Sequence, residues 1–167
     1  MINRTLAESY LLKAVKRLKV LALLLQEEAY SDVVREAQEL VELALKGVLR
    51  QIGVEPPKQH DIGGLVLDFK SRLPREVAVE AKKLAEISKW LRKEREFSFY
   101  GDVDFIPTEE YHREDAERAL EDAEFVVKMA KLVIAPDPAV SPARRRQPEA
   151  ESTRLAPEEE PASPTKD

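Results

Sequence analysis

Apolar residues recur every three or four positions through most of the first 134 residues, which predicts helix almost throughout. Leu6, Tyr10, Ala14, Leu18, Leu21 and Leu25 form one stripe over a helix from Leu6 to about Gln26. Val34, Ala37, Val41, Ala44, Val48 and Ile52 form a second, with Ser31 as expected N-cap and Gly53 as stop. The connection between them is short, so the pair is expected as an antiparallel hairpin. Pro56 and Pro57 then force extended chain, and Asp61 is placed to cap a short helix carrying Leu65, Val66 and Phe69. Pro74 is expected to open a longer helix with Val77, Ala81, Leu84, Ser88 and Leu91 inward, fading near Phe97. A loop from Ser98 to Pro107, in which Phe97, Phe99, Val103 and Phe105 alternate briefly like a strand, precedes a last helix. That helix is expected to be capped by Thr108 and to bury Ala116, Ala119, Ala123, Val126, Ala130 and Val133. The fold class is therefore all-α: an up-and-down antiparallel bundle of four long helices plus a short one.

The pattern stops at about Ala135. Seven of the eleven prolines fall between Pro136 and Pro164, with few large apolar residues among them. Such a segment buries too little surface to offset its ordering entropy, so residues 135–167 are expected to be a disordered tail behind a domain of residues 1–134. Arg144, Arg145 and Arg146 form a basic triplet there, offset by Glu149, Glu151 and Glu158 to Glu160.

Composition narrows the chemistry. With no Cys, disulfides, thiolate metal sites and a cysteine nucleophile are excluded. No apolar run has the length of a membrane span and the opening residues do not read as a signal peptide, so a cytoplasmic protein is expected. Charged residues of both signs make up 35% of the chain, with two Met and one Asn, a composition that suits a thermophile. A net charge of -5 gives no global field for nucleic acid, which leaves only a local basic patch. Gly63-Gly64 lacks the flanking residues of a phosphate loop and is expected instead to let a helix pack closely.

The stretch YSDVVREAQELVELALKGVLRQIGVEPPKQHDIGGLV carries Glu42, Ala44, Leu45 and Lys46, then Pro56 and Pro57, then His60 and Asp61 opening a short helix. This order, followed by RKEREFSFYGDVDFIP and an Ala-rich helix from Thr108, resembles the HEPN-domain family over roughly the first 134 residues. The resemblance implies a bundle of four to five helices, commonly a homodimer, often paired in prokaryotes with a minimal nucleotidyltransferase as a toxin–antitoxin-like couple. Some members are metal-independent ribonucleases that carry an Arg with a His four to six positions downstream. Here Val54, Glu55 and Pro56 precede His60 at that distance, and Ile106, Pro107 and Thr108 precede His112, so the compact motif is absent.

Candidate residues follow from this reading. Lys46, Lys58 and His60 are expected to hold a nucleotide phosphate, and Arg95, Tyr100 and Asp102 to form a second ligand-contacting edge. Arg95 and His112 are the candidate pair for phosphodiester cleavage, which needs a proton-moving His and a cation near one phosphate. Glu109 and His112 have the Glu-x-x-His spacing of di-iron bundles, but Pro57 stands where a second copy would need its Glu, so no metal and no cofactor is expected. The leading function is a nucleotide- or partner-binding module, with a ribonuclease toxin and a helical interaction scaffold as alternatives.

Overall fold

The structure, a computed structural model, describes residues 4–58, 61–99, 102 and 105–134; the expected tail lies outside them. Four long helices are present: α1 Arg4–Gln26, α2 Tyr30–Gln51, α5 Ala81–Phe99 and α7 Arg113–Val133. Three short ones accompany them: α3 Ile62–Asp68, α4 Arg75–Ala78 and α6 Pro107–Glu110, with a 3-10 turn at Lys70–Arg72. Helix α2 is the central element, packed on α1, α7, α5 and α3. Its buried residues include Val34, Ala37, Val41, Ala44 and Val48 of the expected stripe. The expected inner faces of the later helices are also buried, at Val77, Ala81, Leu84 and Leu91 and at all six named positions of α7. None of the helices is long and apolar enough to cross a membrane among the described residues.

Two helix ends use the same cap with opposite chemistry. At the end of α2 the Val54 amide donates to the Leu49 carbonyl and the Gly53 amide to Arg50, with Gly53 at φ 80°. At the end of α1 the Ala29 amide donates to Leu24 and the Glu28 amide to Leu25, with Glu28 at φ 58°. Both are the six-to-one and five-to-two bonds of a left-handed C-terminal cap, a conformation glycine adopts without penalty and a Cβ-bearing residue does not. Replacing Gly53→Ala is expected to cost about 1 kcal/mol, whereas Glu28→Gly is expected to gain up to about 1 kcal/mol. Chemical denaturation of the two variants checks the opposite signs. Loss of the exposed Glu28–Arg113 pair at 3.4 Å offsets little of the gain.

The structure corrects three expected helix starts. Ser31 is not an N-cap: α2 begins at Tyr30 behind Ala29, and Ser31 is buried in its first turn. The left-handed cap of α1 feeds directly into α2 and leaves no extended residue for a serine to occupy. The helix expected from Pro74 is broken, since α4 ends at Ala78 and α5 starts at Ala81. There the Glu80 amide donates to the Val77 carbonyl, a tightened 3-10 bond, and Val79 is turned to solvent. Thr108 does not cap the last helix. It lies in α6, and α7 starts only after Tyr111 and His112. Tyr111 takes an extended backbone (φ -88°, ψ 128°) that sends its ring into the core, where the hydroxyl donates to Glu94 at 2.8 Å. Burying that ring interrupts the helix.

Of the expected alternating segment, Phe97 and Phe99 belong to the end of α5, Val103 lies outside the described residues, and Asp102 and Phe105 form an isolated antiparallel bridge. Trp90 is half-buried between α5 and α7, its Nε1 donating to Asp122 at 2.8 Å under the Arg118 guanidinium.

Candidate functional site

Helix α2 carries Gln38, Glu42 and Lys46 at intervals of four, so the three side chains stack along one edge. Gln38 Nε2 donates to Glu42 Oε2 at 2.9 Å, and Lys46 Nζ donates to Glu42 Oε1 at 2.6 Å. Across this edge α5 presents Ser88, Arg92 and Arg95. Arg95 pairs with Glu39 of α2 at 3.0 Å, and Arg92 lies 3.8 Å from Asp61, the residue that caps α3 by accepting from the Gly64 amide. The result is a polar seam where α2, α3 and α5 meet.

Burial pushes the Glu42 carboxyl up, but the hydrogen bond and charge of Lys46, the Gln38 amide and the charge of Arg95 outweigh it, and the group lies below its ordinary 4.5. Glu42 is therefore an anion at neutral pH. A cavity of about 20 Å³, lined by Gln38, Glu42, Ser88 and Arg92 with Val41, Ile62 and Leu91, opens beside it. Gln38 is buried, and its Oε1 has no donor among the described residues. A cavity of that size holds about one water-sized polar group.

Two expected site residues, Lys46 and Arg95, belong to this seam. Lys58 is exposed in the loop after α2. His60 and Tyr100 lie outside the described residues, and Asp102 is exposed in its bridge with Phe105. His112 is the N-cap residue of α7: its amide donates to Asp115 at 2.9 Å, and Nδ1 stands 2.9 Å from the Glu110 carbonyl. Arg95 and His112 thus have separate partners, Glu39 and Glu110. Glu109 and His112 sit on different elements, so the Glu-x-x-His spacing does not place them on one helical face.

Sequence reasoning missed Gln38 and Glu39, and noted Glu42 without placing it in a site. The signal for Gln38 was present. It shares the phase of Val34, Val41, Leu45 and Val48, so a polar side chain occupies a core position of an otherwise apolar face.

An all-helical bundle with this element order and a polar seam on its central helix defines the class, and the match is direct: the chain matches the HEPN domain family over residues 7–133 and belongs to that family. Among curated proteins it is similar to one from Methanocaldococcus jannaschii named "Putative toxin MJ1304". The two are 30% identical over 136 residues, which span 77% of this chain and 88% of that protein. No solved structure matches it.

Proposed function

We propose that the chain is the HEPN component of a toxin–antitoxin-like pair that acts in the cytoplasm, and that its α2–α5 seam binds the phosphate of a nucleotide or of RNA. The partner in this reading is a minimal nucleotidyltransferase, and the HEPN protein is a homodimer. Similarity to a protein named as a toxin supports the first part. The observation that carries the second is the pair of guanidiniums of Arg92 and Arg95, both exposed by about half, on a seam where Gln38 Oε1, a buried acceptor without a donor among the described residues, shares a cavity with Arg92.

Leaving a buried acceptor unmade costs on the order of 1–3 kcal/mol, and a hydroxyl or amino group of a ligand removes that cost. The two arginines are held by carboxylates in half-exposed pairs, each worth at most about 1 kcal/mol. A phosphate takes both guanidiniums by charge-assisted bonds and displaces Glu39 and Asp61. Glu42 stays paired with Lys46 and keeps the Gln38 amide oriented.

The test is purification of the native protein from its host with mass spectrometry of the bound chains, alongside RNA binding and cleavage by the isolated protein. Recovery of a nucleotidyltransferase, with binding that falls at least about tenfold in Arg92→Ala/Arg95→Ala and no cleavage, is the expected result. Cleavage without added metal that disappears in His112→Ala would instead make the ribonuclease reading correct. The scaffold alternative predicts neither binding nor cleavage.

A further inference from the structure

Helix α1 packs on α2 and α7 and leaves a face that the bundle does not cover. Leu12 (56% exposed), Val20 (45%) and Leu23 (55%) lie on it, three of the six large apolar side chains most open to solvent among the described residues. Leu12, Lys16, Lys19 and Leu23 follow the spacing i, i+4, i+7, i+11, so they form one line along the helix, with Val20 and Lys13 beside it. No acidic residue occurs from Ser9 to Gln26, while Lys13, Lys16, Arg17 and Lys19 do. Of these, Arg17 is taken by Glu36, and the three lysines have no ion-pair partner among the described residues. The face is apolar at both ends and cationic in the middle.

The complement is on the same chain. Helix α7 exposes Glu114, Glu117, Glu121 and Glu124 at i, i+3, i+7 and i+10, also one line, and Glu121 and Glu124 have no ion-pair partner among the described residues. The spacing of Lys16 and Lys19 equals that of Glu121 and Glu124. We infer that the protein associates with a second copy of itself through reciprocal contacts, α1 of each copy lying on the Glu-rich face of α7 of the other. This rests on the dimer reading given above and adds where the interface is.

Charge decides between the two symmetric solutions. Pairing α1 with α1 of the second copy also buries Leu12 and Leu23, but sets Lys16 and Lys19 against their own counterparts, and like charges facing across an interface oppose association. Pairing α1 with α7 sets each lysine pair against a glutamate pair, twice per dimer. Because α1 and α7 are neighbours in the fold, a twofold axis beside them generates both contacts at once. The aliphatic stems of the lysines continue the apolar surface between Leu12 and Leu23.

Sedimentation equilibrium of the full chain tests this with three variants: Lys16→Glu/Lys19→Glu, Glu121→Lys/Glu124→Lys, and the fourfold exchange that combines them. Each double variant is expected to raise the dimer dissociation constant at least about tenfold, by turning four attractive pairs repulsive. The fourfold exchange is expected to recover dimerisation to within about threefold of the wild type, which also shows that the doubles failed to associate and not to fold. A wild-type monomer at micromolar concentration overturns both the dimer and this interface. A wild-type dimer that either double variant leaves intact, or that the fourfold exchange does not recover, overturns the interface alone.

Discussion

Replacing Gly63→Ala is expected to lower the stability of the domain by about 2 kcal/mol and its melting temperature by roughly 8 °C, with little change in helix content. Gly63 lies in α3 where that helix crosses α5. A Cβ there would stand 2.7 Å from the Ser88 Cβ and 2.9 Å from the Ala85 Cα. The first contact is with a side-chain root and the second with backbone, so neither can rotate away and α3 must lift off α5. Overpacking of this kind costs up to about 3 kcal/mol, and the better helix propensity of alanine returns about 1 kcal/mol. Gly64→Ala is the control: the atoms nearest its Cβ would belong to the half-exposed Asp61 side chain, Oδ2 at 3.0 Å first, and that carboxylate has room to give. Its effect is expected within about 0.5 kcal/mol by thermal melting. Ser88→Gly in the Gly63→Ala background should recover part of the loss and not all of it, because the Ala85 backbone remains. Since α3 carries Asp61 toward Arg92, the variant also disturbs the seam.

The close packing of Gly63 was legible in sequence as a glycine pair with no phosphate-loop context, and the inner faces of α2, α5 and α7 were legible as stripes of period 3.6. Helix starts were not. Ser31 and Thr108 are residue types that cap helices, but whether they do depends on the turn before them. In one case a left-handed turn at Glu28 leaves no cap position, and in the other the burial of Tyr111 postpones the helix by one turn. Neither is local information. Helix α1 was legible in the same way as the inner faces: its apolar residues run around the whole circumference, yet every member of the stripe from Leu6 to Leu25 is buried or part-buried, and Leu12, Val20 and Leu23, which lie off it, are exposed. The seam was half legible: Lys46 and Arg95 were named from their charge, whereas Gln38 and Glu39 acquire meaning only once α5 is laid against α2. A polar residue in a core phase is readable from one sequence, but the arginine that faces it comes from about fifty residues away.

Glu42 gives the seam a pH signature. The carboxylate accepts from Lys46 at 2.6 Å and from Gln38 at 2.9 Å, and these donors with the charge of Arg95 hold its titration below 4.5 despite burial. A carboxyl depressed on folding contributes stability that is fully present above its unfolded value and is lost as pH falls through the folded one. Glu42→Gln is therefore expected to cost about 1–2 kcal/mol at pH 7, where it removes two hydrogen bonds to a charged acceptor, discounted because the Glu42 side chain is one-third exposed. Whichever way the new amide turns, its NH₂ group faces one of the two donors. As pH drops below 4.5, the wild type protonates and the gap between the two proteins closes. Urea melts of both at pH 7 and at about pH 3 check this; a gap of the same size at the two pH values would mean that the loss is one of packing and not of charge. The same substitution leaves Gln38 free to turn, so the oriented Oε1 acceptor is lost with it, and RNA or nucleotide binding at the seam is expected to weaken in parallel even though Arg92 and Arg95 remain in place.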